Sequence, residues 1–250
     1  MNGESVLGFI FALLGGLCAG SFINTCVYRV PRGLSIIAPR SGCPWCGEAL
    51  SAAELIPLWS YIRLGGCCSR CGGAISRSYP IIETVSGALA MAAFWAHGYS
   101  AEFFRVFGLS CVFLAIVAVD LRHLIVPDGF VAAGLAIAFA GAHWSGRIDL
   151  TGAGYGLAAG WTGFALLREA YRRLRGHEGM GGGDVKLSAL MGAALGIPGW
   201  LNAVMLGSIG GVCAGLVLIR AGRATSQTHL PFGTYLSAAA IWVLIFGGPL

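Results

Sequence analysis

Two aspartates and four cysteines are the residues of this chain whose types and spacing could do chemistry. Asp120 closes an apolar stretch in "AIVAVDLRHLIVPD", after fourteen uncharged residues, and Asp184 stands behind a glycine run in "HEGMGGGDVKL" and opens another apolar stretch. Ionisable residues at the ends of membrane-length segments are candidates for function rather than solubility. Two carboxyl groups that share a site repel each other, and partial desolvation adds to the repulsion, so the pair can hold one proton between them. The ionised member can then take a proton from water, while the protonated member polarises a peptide carbonyl and supports departure of the amine. That is the chemistry of aspartyl proteolysis. Gly181, Gly182 and Gly183 carry no side chains, so an extended peptide could approach the backbone closely beside Asp184. Lys186, the only lysine in the chain, follows two residues later and could tune the pair or touch substrate.

The same residues have plainer readings. Asp184 could be a helix N-terminal acid that satisfies free N–H groups and the helix dipole. Asp120 could pair with Arg122, and Asp128, after Pro127, could cap the next helix. His123 and His177 lie near the acids, where a lone interfacial histidine is ordinarily structural. The glycine run fits neither the Walker nor the dinucleotide-binding spacing.

The cysteines form "CPWC" (43–46) and "CSRC" (68–71), a C-x2-C-x21-C-x2-C pattern. Two thiolate pairs on tight turns can converge on a closed tetrahedral S4 site, which is the arrangement of structural zinc. The ligands would be Cys43, Cys46, Cys68 and Cys71, with two disulfides as the alternative. Cys67 is left over beside the second pair. Cys18, Cys26, Cys111 and Cys213 fall in apolar runs and read as small apolar residues.

Composition dictates what must position these groups. With 250 residues, 56% hydrophobic, 11% charged and a mean hydropathy of +0.76, the chain is a polytopic membrane protein rather than a soluble domain. Uncharged runs at 5–28, 84–101, 106–119, 129–146 and 150–167 predict five crossing helices. The run at 187–219 is split by "GIPGW" (196–200) into two, and 232–248 supplies the last. The expectation is an all-α fold of about eight transmembrane helices: a first helix at 1–28, a metal-binding loop at 29–80 and a membrane core at 81–250. With the N-terminus outside, fourteen of sixteen Lys and Arg lie on the cytoplasmic side, together with the cysteine loop and both aspartates. A reducing compartment favours metal over disulfides. The net charge of +5 is thus a topology signal and not evidence for nucleic acid. "MNGESV" lacks a basic n-region, so the first run is not expected to be a cleaved signal peptide.

Other classes fit less well. A transporter should show paired broken helices and a midplane charge, whereas both acids lie at one face. A zinc hydrolase needs an open metal position, which four cysteines close. A non-enzymatic scaffold with structural aspartates remains the alternative.

Taken together, "GSFINTCVYRVP" (20–31), the cysteine knuckles, "SRSYPIIE" (76–83), "DLRHLIVPD" (120–128), "EGMGGGDVKL" (178–187) and "LPFGTY" (230–235) resemble the bacterial type IV prepilin peptidases, membrane aspartyl proteases of the GxGD type. The resemblance covers nearly the whole chain in order. It implies removal of the short basic leader of prepilins or pseudopilins in the bacterial inner membrane, with Asp120 and Asp184 as the catalytic pair. It also implies methylation of the new N-terminal residue from S-adenosylmethionine, although no methyl-donor motif is legible and the donor-binding residues are unknown. Asn24, Tyr28, Arg29 and Glu83 match polar positions of the family, for the donor, the leader or structure. Cys26, where an aliphatic residue is expected, and Cys67 depart from the pattern. The sequence carries no statement about oligomeric state.

Overall fold

The computed structural model describes residues 3–144, 148–176, 180–223, 225 and 230–247. His177, Glu178 and Gly179 of the glycine motif, and Arg147, lie outside the described residues. The chain is helical, with eight α-helices among the described residues: α1 (Gly3–Arg29), α2 (Trp59–Arg63), α3 (Ser78–His97), α4 (Ala101–His123), α5 (Asp128–Trp144), α6 (Leu150–Arg175), α7 (Gly182–Arg220) and α8 (Phe232–Phe246). Three segments, Ser5–Arg32, Ala101–His123 and Gly182–Arg220, are long and apolar enough to cross a membrane by length and composition. The fold divides into two compact units, Met1–Tyr99 and Ser100–Leu250.

In the first unit α1 lies against α3 through glycines four residues apart. A Cβ on Gly16 would stand 2.7 Å from the Gly87 Cα, and one on Gly20 would stand 2.6 Å from the Glu83 Cα. Small residues at this spacing let two apolar helices approach without side chains between them. The long segment between these helices is tied to them by buried polar groups. Arg29, at the end of α1, donates to the carbonyls of Ser35 (2.9 Å) and Pro39 (2.7 Å) in that segment, while the Asn24 amide joins α1 to α3 by donating to the Tyr79 carbonyl at 3.1 Å. Leu58 has φ 59° and ψ −49°, and the Trp59 N–H donates to the Pro57 carbonyl at 2.6 Å across it. This is a γ-turn of the strained hand, which costs about 1–3 kcal/mol where nothing over-determines it. Here the buried Glu83 carboxylate accepts the Leu58 N–H at 2.8 Å and holds the turn in place.

The second unit is built round α7. A Cβ on Gly192 would fall 1.9 Å from the Gly156 carbonyl oxygen of α6, and one on Gly160 would fall 2.3 Å from the Ser188 oxygen of α7. The two backbones therefore touch. Gly192→Val is expected to force α6 and α7 apart and to destabilise the protein by about 3 kcal/mol, at the upper end for overpacking, seen as a lowered thermal midpoint in detergent. The reference Gly154→Val, on α6 with nothing within 4 Å of its added Cβ, should move the midpoint far less.

α7 is interrupted, as the "GIPGW" stretch predicts. Gly196 has φ 67° and ψ 178°, so two helical segments meet there. Pro198 has no N–H, which leaves the Ala194 carbonyl without its helical donor. Arg105 of α4 supplies the missing donor through Nη1 at 2.9 Å. The rest of its guanidinium forks onto Glu102 with two bonds of 2.7 Å. Gly141 makes room for the stem of this arginine, since a Cβ there would meet Arg105 Cδ at 2.2 Å. Arg105→Met is expected to cost about 3–5 kcal/mol by stranding a buried carboxylate and a buried carbonyl. Adding Glu102→Leu, which removes the stranded carboxylate, should return part of that loss; equal stability of single and double variants would refute the assignment.

One helix runs further than the hydropathy implied. α6 continues from Leu167 to Arg175 on a basic stripe, where Glu169 pairs with Arg172 and Arg173 at 2.7 Å each. Such i,i+3 and i,i+4 pairs extend a helix into water after its apolar part ends.

Candidate active site and metal centre

Asp120 lies in the last turn of α4, which stops because Leu124 adopts the left-handed conformation (φ 53°) and returns its N–H to the Asp120 carbonyl at 3.0 Å. Its side chain is buried at 4% exposure. One carboxylate oxygen, Oδ2, accepts both the backbone N–H (2.7 Å) and the hydroxyl (3.0 Å) of Thr234, at the start of α8. Gly233 permits this, since a Cβ there would stand 3.1 Å from the same oxygen. No described residue donates a hydrogen bond to Oδ1.

Asp184 is the third residue of α7, whose N-cap is Gly181. Its N–H donates to the Gly181 carbonyl at 3.2 Å, which closes the first turn of the helix. An acid in the first turn of a helix also suits the helix dipole, so the plain reading of this residue as a helix starter is compatible with its place. The second observation separates Asp184 from an ordinary cap: its carboxylate lies within electrostatic reach of Asp120, sixty-four residues earlier in the chain.

The three glycines differ in their surroundings. Gly183 is packed, with Val126 Cβ 3.1 Å from where its own Cβ would be, and Gly182 lies under Arg168 Nη1. Gly181 is exposed and borders the Asp184 carboxylate, 3.6 Å from its position for a Cβ. Lys186 is brought to Asp128 at 2.6 Å, which fastens the first turn of α7 to the first turn of α5 beside the acids.

The four cysteines also converge. The Sγ atoms of Cys43, Cys46, Cys68 and Cys71 lie within 4.8 Å of one another, and the Cys43–Cys71 separation is 3.8 Å. A tetrahedron of sulfurs about 2.3 Å from a central zinc has edges of about 3.8 Å, so the donor set fits a closed S4 metal site. Each pair sits on the same backbone turn. Cys43 accepts from Gly47 and Cys68 from Gly72 (2.9 and 3.0 Å), and both glycines have positive φ, 73° and 69°. Backbone N–H groups of Cys71 and Arg70 aim at the Cys68 sulfur and draw that thiol down to about 7. Cys67 bridges to Ala74 as Gly42 bridges to Ala49, so Cys67 is the framing residue of the second turn and stands outside the sulfur cluster.

Other residues hold the two knuckles together. The Trp45 indole N–H donates to the Ala74 carbonyl at 3.1 Å and its ring lies on Gly73, where a Cβ would come within 2.4 Å. Glu54 accepts from the Ser69 hydroxyl and from Ser51, bonds that hold its carboxyl down at about 2, and Arg70 pairs with Glu48.

Residues 14–97 match the bacterial peptidase A24 N-terminal domain and residues 107–216 match the type IV leader peptidase family. A prepilin leader peptidase/N-methyltransferase of Burkholderia pseudomallei (strain K96243) is 36% identical over 96% of this chain and 85% of its own length. The chain belongs to the type IV leader peptidase family. Two further relatives of the same description lie in distant bacteria. That of Pseudomonas aeruginosa is 31% identical over 97% of this chain and 91% of its own, and that of Bacillus subtilis (strain 168) is 34% identical over 96% and 93%. No solved structure matches the chain.

In this leader peptidase family member, the N-terminal polar positions singled out in the sequence are engaged in holding structure. Asn24, Arg29 and Glu83 are spent on the carbonyls and the strained N–H described above, and Tyr28 lies under the Arg32 guanidinium at 4.2 Å. Thr234, Gly233, Arg105 and Trp45 were not identified from the sequence. "LPFGTY" placed Thr234 in a recognised motif, but nothing in spacing or composition aims it at a residue 114 positions earlier.

Proposed function

We propose that this chain is a membrane aspartyl endopeptidase that removes the leader of type IV prepilins or pseudopilins and then methylates the exposed N-terminal amine. The observation that supports the reading is that Asp184 lies within electrostatic reach of Asp120, the two standing at ends of membrane-length helices, with one oxygen of Asp120 held by Thr234. Prepilin is the substrate class implied by the relatives' names.

The chemistry follows from a pair that shares one proton. The ionised carboxylate accepts a proton from a water molecule as its oxygen attacks the scissile carbonyl, and the protonated carboxyl donates to the carbonyl oxygen. Collapse of the resulting gem-diol breaks the C–N bond. The proton gained from water passes to the leaving amine, giving a leader carboxylate and a new N-terminus. Of the three glycines, the exposed Gly181 borders the path of the substrate backbone while Gly182 and Gly183 pack the turn, and Lys186 fastens that turn through Asp128.

In this reading α7 counts as two crossings, giving eight with α1, α3, α4, α5, α6, α8 and the break at Gly196. The N-terminus is outside, and the cysteine loop at 29–80 and both aspartates face the cytoplasm of a bacterial inner membrane, as the arginine distribution favours. Cys43, Cys46, Cys68 and Cys71 would hold zinc, which braces a loop too small for a core of its own. S-adenosylmethionine supplies an electrophilic methyl group to the amine.

The test is to incubate the purified protein with a membrane-embedded prepilin, with and without S-adenosylmethionine, and to weigh the product. Loss of the leader in both samples, and one added methyl group only with the donor, is the expected result. An uncut prepilin would sink the peptidase reading; a cut but unmethylated product would sink the transferase alone.

A further inference from the structure

The end of α1 and the segment after it enclose a cavity of about 210 Å³ that the proposed reaction does not use. Its floor is Phe22 and Thr25, inside the apolar span Ser5–Arg32, and its walls include Ile36, Ile37 and Arg40. The apolar part is open: Phe22 is 55%, Ile36 41% and Ile37 89% exposed. Apolar side chains left uncovered beside the last turns of a membrane helix mark a surface that meets something other than water.

The charges around it are of one sign. Arg29 is consumed by the Ser35 and Pro39 carbonyls, which fixes the shape of the segment, and Arg32 is held on Tyr28. Arg40 is exposed at the rim, and none of the ion pairs among the described residues includes it. No carboxylate lines the cavity. A cationic ligand, such as a sulfonium or a choline headgroup, therefore finds no counter-charge, whereas a phosphate finds a free guanidinium.

We propose that this cavity is a binding site for one anionic phospholipid, whose phosphate pairs with Arg40 and whose acyl chain lies over Phe22, Ile36 and Ile37. Depth selects the ligand as much as charge does: the apolar floor is continuous with the membrane span, so a chain in the bilayer enters the cavity without leaving its own medium. The site anchors the start of the cysteine loop at the membrane surface, on the arginine-rich end of α1. The inference rests on α1 crossing the membrane and is independent of the aspartyl chemistry.

The experiment is native mass spectrometry of the delipidated protein titrated with phosphatidylglycerol or with phosphatidylcholine of the same acyl chains. The wild type is expected to retain one phosphatidylglycerol with an affinity about fivefold above that for phosphatidylcholine, the effect of one basic residue at an anionic headgroup. Arg40→Gln should abolish the preference, and Ile36→Ser should weaken both lipids. The Arg40 side chain makes no bond among the described residues, so Arg40→Gln should keep its helix content and bound metal. Equal retention of the two lipids by the wild type, or an unchanged preference in Arg40→Gln, would overturn the proposal. Displacement of the lipid by equimolar glycerol phosphate would also overturn it, since the site would then be one for free phosphate. Loss of prepilin cleavage bears on the peptidase reading and leaves this titration untouched.

Discussion

Asp184→Asn and Asp120→Asn are each expected to lower kcat for prepilin cleavage at least about 10³-fold, the scale of losing a positioned acid or base. Folding should survive both changes. In Asp120 the two Thr234 donors converge on a single oxygen, Oδ2, and an asparagine still offers one oxygen to both. Asparagine is near-isosteric with Asp184 and suits the first turn of a helix equally well. What the amide cannot do is exchange a proton. Because the pair acts as a unit, the double variant should be no slower than either single one, since each removes the same shared function. Binding of an uncleaved prepilin should change little, so the loss belongs in kcat and not in KM. Multiplicative losses in the double variant would mean independent roles. A single variant that cleaves at the wild-type rate would return its residue to a structural role.

The second large effect is expected from the cysteine cluster. One zinc per chain should be found in the purified protein by elemental analysis, and Cys46→Ser or Cys71→Ser should remove it. Metal binding by such closed sites contributes roughly 10–16 kcal/mol, far more than the hydrogen bonds between the knuckles could replace. The loop should therefore become open to proteolysis between Arg29 and Ser78 when metal is lost or chelated. The second compact unit, which contains both aspartates, should keep its helix content. Cys67→Ser is the control, because that thiol stands outside the cluster; loss of zinc in this variant would mean that the ligand set is wrongly drawn.

The helices were legible because hydropathy writes them directly into the sequence: runs without charge leave few alternatives to helix in a bilayer. The cysteine cluster was legible for a related reason, since a C-x2-C pair is a local signal and the second pair repeats it. The γ-turn at Leu58 was not, because its cause is a carboxylate twenty-five residues away on α3. Arg105 falls between two of the predicted spans, 84–101 and 106–119, and it is a buried donor that answers a freed carbonyl in a different helix. The end of α6 was misjudged for a third reason. A hydropathy window stops where arginines begin, but i,i+4 ion pairs carry a helix past that point. In each case the sequence carried the local half of an interaction whose other half is supplied by the fold.

The repeated knuckle turns bear on how the chain is made. The first half-site, Cys43 and Cys46, follows α1, and the second is complete at Cys71, seven residues before α3 begins. During synthesis the metal can therefore close the loop before the next apolar helix has left the ribosome. Once closed, the loop is a folded module, and a folded module does not pass through a bilayer. In the proposed topology the ion thus acts as a ratchet on insertion, fixing the side on which the loop stays while the remaining helices are threaded. Metal starvation during growth should then be visible as misoriented chains as well as unfolded loops.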